Sequence, residues 1–321
     1  MEGAIMAGNT NLNNSARDKQ DEFYTELGVI EKELKYYKSH FQGKTVFCNC
    51  DDPEYSNFWK YFHLNFYALG LKKLIATHFE KTKQSYKMEI VAADISEDGQ
   101  YRIPDYRKTP LKQNGDFRSP ECLDILNEAD IIVTNPPFSL FREYLDILIK
   151  SKKQFLIIAN LNAVKYKEVL PLIMNNEIWL GKNSGHYWFK VPDYYEVKKT
   201  DFKIDENGQK WRRMGNICWF TNLDFKERHE DIPLYAMYDS NKYPRYDTYD
   251  AIEVSKVSEI PFDMPLETVF GVPITFIPKY NPEQFEIIGV LNSGSGNKYD
   301  FAKAIVKGKQ LYSRFLIRRK R

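Results

Sequence analysis

No stretch of the chain approaches about 18 uninterrupted apolar residues, so no transmembrane helix is expected. The first twenty residues, MEGAIMAGNTNLNNSARDKQ, lack a basic start followed by an apolar run, so no secretory leader is expected. Cysteine is scarce. Four in 321 residues, unevenly scattered, do not build a disulfide framework, and a reducing cytoplasm is the expected compartment. Cys48 and Cys50 have no matching Cys or His cluster, so no metal site is expected and both read as strand thiols. Charge of one sign is lacking too: the net formal charge is +2. With 43% hydrophobic and 28% charged residues the composition is globular, which excludes a disordered or collagen-like chain. The length suits one large domain, or a domain with an appendage.

The near-neutral total hides an asymmetry. Residues 300–321 hold eight cations and one anion, so this segment is +7 and the rest of the chain is −5. A basic tail on a mildly acidic body fits a polyanion partner, or a solubilising end. Aromatic residues reach 15%, which fits base stacking or simple core packing.

Hydrophobic periodicity predicts an alternation of strands and helices. Residues 1–17 read as a frayed, Asn-rich N-terminus. A helix follows over about 25–37, then a buried strand in KTVFCNC. Phe58, Phe62, Phe66 and Leu69 fall at helical spacing, with Gly70 as a terminator. LKKLIATHF, MEIVAAD, DIIVTN, QFLIIAN, EIWLG and NICWFTNL read as strands. ECLDILNEA, FREYLDILIK and residues 163–175 read as helices, and 95–115 as a polar connection. The pattern predicts an α/β fold with a mostly parallel sheet covered on both faces. Prolines break the chain repeatedly beyond residue 232. The expected organisation is a strand–helix body over 18–235 after the frayed start, and an irregular appended region over 236–321.

The sharpest motif is Asn135-Pro136-Pro137-Phe138, directly after the apolar strand DIIVT. Ligands of open α/β sheets bind beyond the carboxyl ends of strands. A given four-residue string arises by chance in roughly two chains per thousand of this length. The residues suit methylation of an exocyclic amine, whose lone pair is delocalised into its ring. Two acceptors holding the amine hydrogens, the Asn135 side-chain oxygen and the Pro136 carbonyl, favour a pyramidal nitrogen and free that lone pair. Proline fixes its own φ and restricts the residue before it, which aims the carbonyl rigidly. The Phe138 ring offers a stacking surface. The competing reading is a strand terminator with an exposed Phe.

Three further segments gain meaning from this one. Asn49-Cys50-Asp51-Asp52-Pro53 closes the first strand with an acidic turn, fit for a cationic ligand or for capping a helix through Asp51 or Asp52. Gly115-Asp116-Phe117-Arg118-Ser119 pairs an acid with an aromatic, fit for a purine or for a turn into a helix capped by Ser119. Asp21-Glu22-Phe23-Tyr24-Thr25 reads on its own as a cap at Thr25 beside packing aromatics.

Together these segments resemble the amino-methyltransferases of DNA, and more narrowly the EcoRI-type adenine-specific DNA methyltransferase family. The matching runs are DEFYT at 21–25, VFCNCDDP at 46–53, SNF at 56–58, LGLKKLI at 69–75, GDFRS at 115–119 and ADIIVTNPPFSLFREY at 129–144. YKE at 166–168, WLG at 179–181 and WFTNLD at 219–224 continue the likeness, which spans roughly 18–235. The resemblance implies S-adenosylmethionine as methyl donor and N6 of adenine in double-stranded DNA as acceptor, with base flipping. It implies the class I, Rossmann-like methyltransferase fold, a seven-stranded sheet ending in an antiparallel hairpin. Carried over, Asn135, Pro136, Pro137 and Phe138 grip and stack the adenine. Asn49, Cys50, Asp51, Asp52 and Pro53 line the donor's methionine end. Tyr24 and Thr25 close over it, and Asp116 and Phe117 face its adenine ring. A departure from the broader class is that Asp52-Pro53-Glu54-Tyr55-Ser56 stands where a glycine-rich loop usually follows the first strand.

The implied setting is a cytoplasmic enzyme of a prokaryote or phage, acting alone or beside a separate cognate restriction endonuclease. Lys150, Lys152 and Lys153, the Lys210-Arg212-Arg213 cluster and the terminal RRKR are candidate phosphate contacts. Base-reading residues are expected within 181–215 and 236–321. Methylation of RNA adenine or protein glutamine, and a non-catalytic DNA-binding relic, stay open on the residues alone.

Overall fold

The computed structural model describes residues 23–50, 52–80, 83–92 and 104–321. The chain divides into two compact units, one of residues up to 160 with 183–223, the other of 161–182 with 224–321.

The first unit is built on a large mixed sheet. Its strands are β1 (Tyr24–Thr25), β2 (Thr45–Cys48), β3 (Lys73–Thr77), β4 (Tyr86–Val91), β5 (Arg107–Pro110), β6 (Ile131–Thr134), β7 (Gln154–Asn160), β8 (Trp179–Lys190), β9 (Phe202–Ile204) and β10 (Lys210–Thr221). They lie in the order β1-β8-β10-β7-β6-β2-β3-β4-β5, with β9 paired to β10. The parallel part is the central quartet β7, β6, β2 and β3. β2 and β6 are buried throughout, and β7 and β3 are buried except at Gln154, Asn160 and Lys73 at their ends, as expected where helices cover both faces. Helices Asn57–Leu64, Pro120–Glu128 and Phe141–Lys150 lie between these strands in the chain.

The expected mostly parallel, seven-stranded sheet is therefore corrected to ten strands of mixed direction. β4 runs antiparallel to β3 and β5 antiparallel to β4. A parallel return needs a crossover of about a dozen residues, and the segment between Thr77 and Tyr86 is shorter than that. On the other flank β10 is antiparallel to β7, β9 to β10 and β1 to β8. β5 falls inside the stretch read as a polar connection, because RKTP is an edge strand without an apolar face.

The expected caps are corrected as well. The first helix spans Leu27–Leu34 and has no side-chain cap, while Thr25 belongs to β1. Ser56, rather than Asp52, caps the next helix by accepting from the Phe58 and Trp59 amides. Ser119 caps Pro120–Glu128 as read. Residues 163–175 hold a 3₁₀ turn (Leu161–Lys165) and one short helix (Leu170–Met174).

The second unit contains a five-stranded sheet where the sequence suggested irregular structure. Its strands are β11 (Ile252–Glu253), β12 (Phe270–Pro273), β13 (Phe285–Leu291), β14 (Asp300–Ala302) and β17 (Arg314–Arg319), with β15 (Ile305–Val306) and β16 (Lys309–Gln310) forming a separate pair. The order is β11-β12-β17-β13-β14. β17 is the central strand, so the basic terminal segment is not a free tail. Phe315, Leu316 and Ile317 are completely buried. Arg314 is paired with the buried Glu253, and Arg319 donates to the Phe262 and Met264 carbonyls. Among the described residues no helix is long and apolar enough to cross a membrane.

Candidate active site

β2 and β6 are parallel neighbours, so the residues after their carboxyl ends lie side by side. The Cys50 amide donates to Thr134 Oγ1 at 3.2 Å, which ties the 49–53 turn to the start of the Asn135–Phe138 motif. Asn49 is buried, and its Oδ1 accepts from the Tyr144 hydroxyl. Tyr144 projects from the helix that follows the motif, and burial raises its hydroxyl well above the ordinary tyrosine value. It stays protonated as a donor to Asn49.

Asn135 is 6% exposed, and its amide orientation is set by one contact. Nδ2 donates to the Phe23 carbonyl at 2.6 Å, while Oδ1 is buried and receives no hydrogen bond. Phe23 also stacks on Phe138, with centroids 5.6 Å apart, and Phe189 meets Phe138 edge-on at 6.2 Å. Phe138 is thereby 9% exposed, with Phe23 against its ring. Pro136 is buried, and the Pro137 carbonyl accepts from the Leu140 amide at 3.0 Å.

The 23–25 segment is an edge strand on β8. Asn57 Nδ2 donates to the Thr25 carbonyl at 2.7 Å, and Tyr24 approaches Tyr55 with centroids 6.3 Å apart. Thr25 Oγ1 is a second buried atom without a partner.

Asp51 lies outside the described residues. Asp52 Oδ1 accepts from the Tyr86 hydroxyl at 2.9 Å and from the Glu54 amide at 3.0 Å. Its Oδ2 lies 3.7 Å from His78 Nε2. The Tyr86 ring stacks on His78 at 4.6 Å, and the Lys108 ammonium sits 3.7 Å from the same ring while pairing with Glu54. Burial, then the hydrogen bond to Asp52, raises the Tyr86 hydroxyl above its usual range. The Lys108 hydrogen bond holds the Glu54 carboxyl low. Pro53 is buried behind the turn.

Gly115 carries the fourth segment past His78. Its φ is +76°, and a Cβ there would collide with the His78 carbonyl oxygen. Phe117 packs edge-on against Tyr144 at 5.0 Å. Both Asp116 oxygens accept from Arg118, at 2.8 and 2.7 Å, and Arg118 also reaches Glu143 at 3.3 Å.

The structure thus joins segments 23–25, 49–50, 116–118 and 134–138 through hydrogen bonds and ring contacts beyond the β2 and β6 ends. It adds His78, Tyr86, Lys108 and Tyr144, to which the sequence reading assigned no part in the site. Tyr144 carried a signal only as a core residue of its helix. Chemically, the place holds a fixed amide acceptor, a free buried hydroxyl at Thr25 and the outer oxygen of Asp52. That set suits a ligand with an amine to be held and a cationic group to be balanced. The lysines and arginines singled out as phosphate contacts are mostly engaged within the protein. Lys150 pairs with Asp146, Lys153 donates to the Asn127 and Ala129 carbonyls, and Lys210 donates to the Tyr195 carbonyl.

The chain matches the family described as "Adenine-specific methyltransferase EcoRI" over residues 11–320. It is 47% identical over 326 aligned residues, 98% of each chain, to Type II methyltransferase M.EcoRI of Escherichia coli. It is 38% identical to Type II methyltransferase M.MpnI of Mycoplasma pneumoniae, covering 87% of this chain and 85% of that one. It is 37% identical to Type II methyltransferase M.MgeORF184P of Mycoplasma genitalium, covering 87% and 86%. No solved structure matches it.

Proposed function

Because the chain belongs to the EcoRI adenine-specific methyltransferase family and is a DNA adenine methyltransferase of the restriction–modification type, we propose that it transfers a methyl group from S-adenosylmethionine to N6 of an adenine turned out of duplex DNA. The observation that carries the reading is the buried, unpartnered Asn135 Oδ1. An acceptor left open in a buried place costs about 1–3 kcal/mol unless a donor arrives. The adenine amine is such a donor.

In this reading Asn135 Oδ1 and the Pro136 carbonyl accept the two N6 hydrogens. The Phe23 carbonyl holds the Asn135 amide so that its oxygen, not its nitrogen, faces the base. The donor, when bound, supplies an electrophilic methyl on a sulfonium. The amine nitrogen forms the new N–C bond as the methyl's bond to sulfur breaks, leaving a neutral thioether, and its extra proton passes to water. Orientation of the amine is the larger part of the rate gain. Pro137 fixes the turn, and Phe138 supplies the stacking ring, reached as the Phe23 side chain swings off it while the Phe23 carbonyl keeps its hold on Asn135. Asp52 balances the donor's ammonium through its outer oxygen, with Asn49, Cys50, Asp51 and Pro53 shaping that end. Tyr24 and Thr25 close over it, the Thr25 hydroxyl taking a ligand atom. Phe117 covers the donor's adenine, and Asp116 shares its oxygens between Arg118 and the purine amine.

The fold of the first unit fits a class I methyltransferase, because β7, β6, β2 and β3 form the parallel centre and β10 is the antiparallel strand beside β7. Residues 236–321 supply further DNA contacts. The protein acts in the cytoplasm of its host, and a cognate endonuclease is a separate molecule. The test is tritiated methyl transfer from S-adenosylmethionine to duplex DNA, RNA and protein, followed by nucleoside analysis. The expected product is N6-methyladenine in duplex DNA alone. Label appearing in RNA or protein and not in DNA would reject the proposal.

A further inference from the structure

The strands β8, β9 and β10 carry aromatic and cationic residues that the reaction chemistry above does not use. Trp211 and Lys203 are Cα partners of β10 and β9, and Tyr24 and Lys190 are partners of β1 and β8. Cross-strand partners project from the same side of a sheet. Trp188 and Lys190 share a face because they are two residues apart on one strand. Phe189, between them, points the other way and packs against Phe23 and Phe138.

On the first face the side chains form a continuous stripe. The Lys203 ammonium lies 4.6 Å from the Trp188 ring centroid and 5.3 Å from that of Trp211. The Lys190 ammonium lies 5.5 Å from the Trp211 ring. Both lysines are exposed and both tryptophans half-buried. The stripe continues through Tyr24, the partner of Lys190, to Tyr55 at the turn after Asp52. It therefore runs up to the candidate active site within the same unit.

The two lysines differ from other cations on these strands. Lys210 is held by the Tyr195 carbonyl at 2.9 Å, Arg212 by the Thr200 and Asp201 carbonyls, and Arg213 by Asp201 at 3.7 Å. Lys190 and Lys203 rest on indole faces instead. The neighbouring acid, Asp205, is occupied: Oδ2 accepts from Trp211 Nε1 at 2.8 Å and Oδ1 from the Asn207 and Gln209 amides. A ring under an ammonium steadies it by cation–π attraction while leaving N–H groups for an anion. Steadied side chains lose less entropy on binding.

We infer that this face of β8, β9 and β10, with Trp188, Lys190, Lys203 and Trp211, is a contact surface for the phosphate backbone of the duplex DNA being methylated. The inference rests on the DNA-methyltransferase reading. Lys190 and Lys203 each meet a phosphate, and the indole rings steady them along the stripe that continues through Tyr24 to Tyr55.

The test uses the full-length protein and a duplex fragment that it methylates. Binding is followed by fluorescence anisotropy from low to physiological salt for wild type, the double variant Lys190→Gln/Lys203→Gln, and Trp188→Leu. Each phosphate contact contributes roughly 0.9 to the slope of log K against log salt. The double variant is expected to lower that slope by about two and to weaken binding on the order of tenfold or more at physiological salt. Trp188→Leu keeps both charges and is expected to weaken binding several-fold with the slope preserved. Binding of S-adenosylmethionine without DNA is expected to be unchanged in all three proteins, which shows that they are folded. A double variant with the wild-type slope and affinity overturns the inference. A change in sedimentation mass with DNA binding intact also overturns it, because the face would then join two copies of the chain. If the wild-type protein puts no methyl group into any duplex DNA, the functional reading itself fails and this inference falls with it.

Discussion

Two buried polar side chains, one in each unit, are treated in opposite ways. Asn135 has a donor tied down and an acceptor left open. Asp300, 2% exposed, has both oxygens filled. Its Oδ1 accepts from the Asn292 and Gly294 amides, and its Oδ2 from the amides and hydroxyls of Ser293 and Ser295, at 2.6–3.3 Å. A carboxylate that takes six hydrogen bonds shapes a loop and has no capacity left for a ligand. An open acceptor in a buried place destabilises the protein and is useful only when something fills it. On the proposed function, the contrast separates a scaffold group from one that meets the substrate, without reference to position in the chain. Its sharpest test is Asn135→Ala. Turnover is expected to fall by about 10²–10³-fold or more, the scale of losing one preorganised polar contact to a transition state. The unfolding midpoint and donor binding are expected to hold. Wild-type turnover in the variant, measured as tritium incorporation, would break the comparison on its functional side.

The scaffold side is tested by Asp300→Asn, which sets an amide group against several inward-pointing donors. A loss of about 2–4 kcal/mol in urea unfolding is expected, since a carboxylate bond is worth roughly 1.5–3 kcal/mol and the bonds are not additive. The pH dependence gives the sign. Burial opposes the Asp300 charge, but the Ser293 and Ser295 hydroxyls and the loop amides outweigh it and hold its carboxyl below the usual range. A depressed folded pKa stabilises above the unfolded value, near about 3.9, and that stability is lost as the pH falls through the folded value. Wild type should therefore lose stability over this acid range while the variant lacks this component. Equal acid limbs would show that Asp300 is not a charged scaffold.

The difference between the units also explains what the sequence disclosed. FREYLDILIK and QFLIIAN are observed as Phe141–Lys150 and Gln154–Asn160, because a strong amphipathic period marks a helix and an apolar run too short for a helix marks a buried strand. The site segments 49–53 and 134–138 were readable because a parallel sheet places strand ends together. The sheet of the second unit was hidden by brevity: β11 has two residues and β14 three, and prolines stand between strands. β17 was hidden by charge, since its three apolar residues lie among arginines whose partners are remote in sequence, such as Glu253 for Arg314. Tyr86 and His78 were missed for the same reason. Tyr86 reaches Asp52 across 34 positions, and no local pattern announces such a contact.

Asp52 is the intermediate case and gives the finest test. One oxygen is filled by the Tyr86 hydroxyl and the Glu54 amide; the other has only His78 at 3.7 Å. If open capacity marks a ligand contact, Asp52 holds the donor through the outer oxygen, and Tyr86 is the group that aims it. Tyr86→Phe removes the hydroxyl and keeps the ring against His78 and Lys108. A hydrogen bond of this kind is worth about 0.5–1.5 kcal/mol, so the donor KM is expected to rise roughly three- to tenfold. Because the base-holding acceptors are untouched, kcat should stay within about twofold of wild type, whereas a merely structural role would shift the unfolding midpoint and leave the KM alone. The Tyr86 pKa is raised, first by burial and then by the Asp52 hydrogen bond, so its hydroxyl keeps its proton through mildly alkaline pH and goes on donating to Asp52. Donor affinity should then show no titration of Tyr86 between pH 7 and 9. A lowered unfolding midpoint with the donor KM unchanged would move Asp52 from the donor to the scaffold side, and the division between filled and open acceptors would have to be redrawn there.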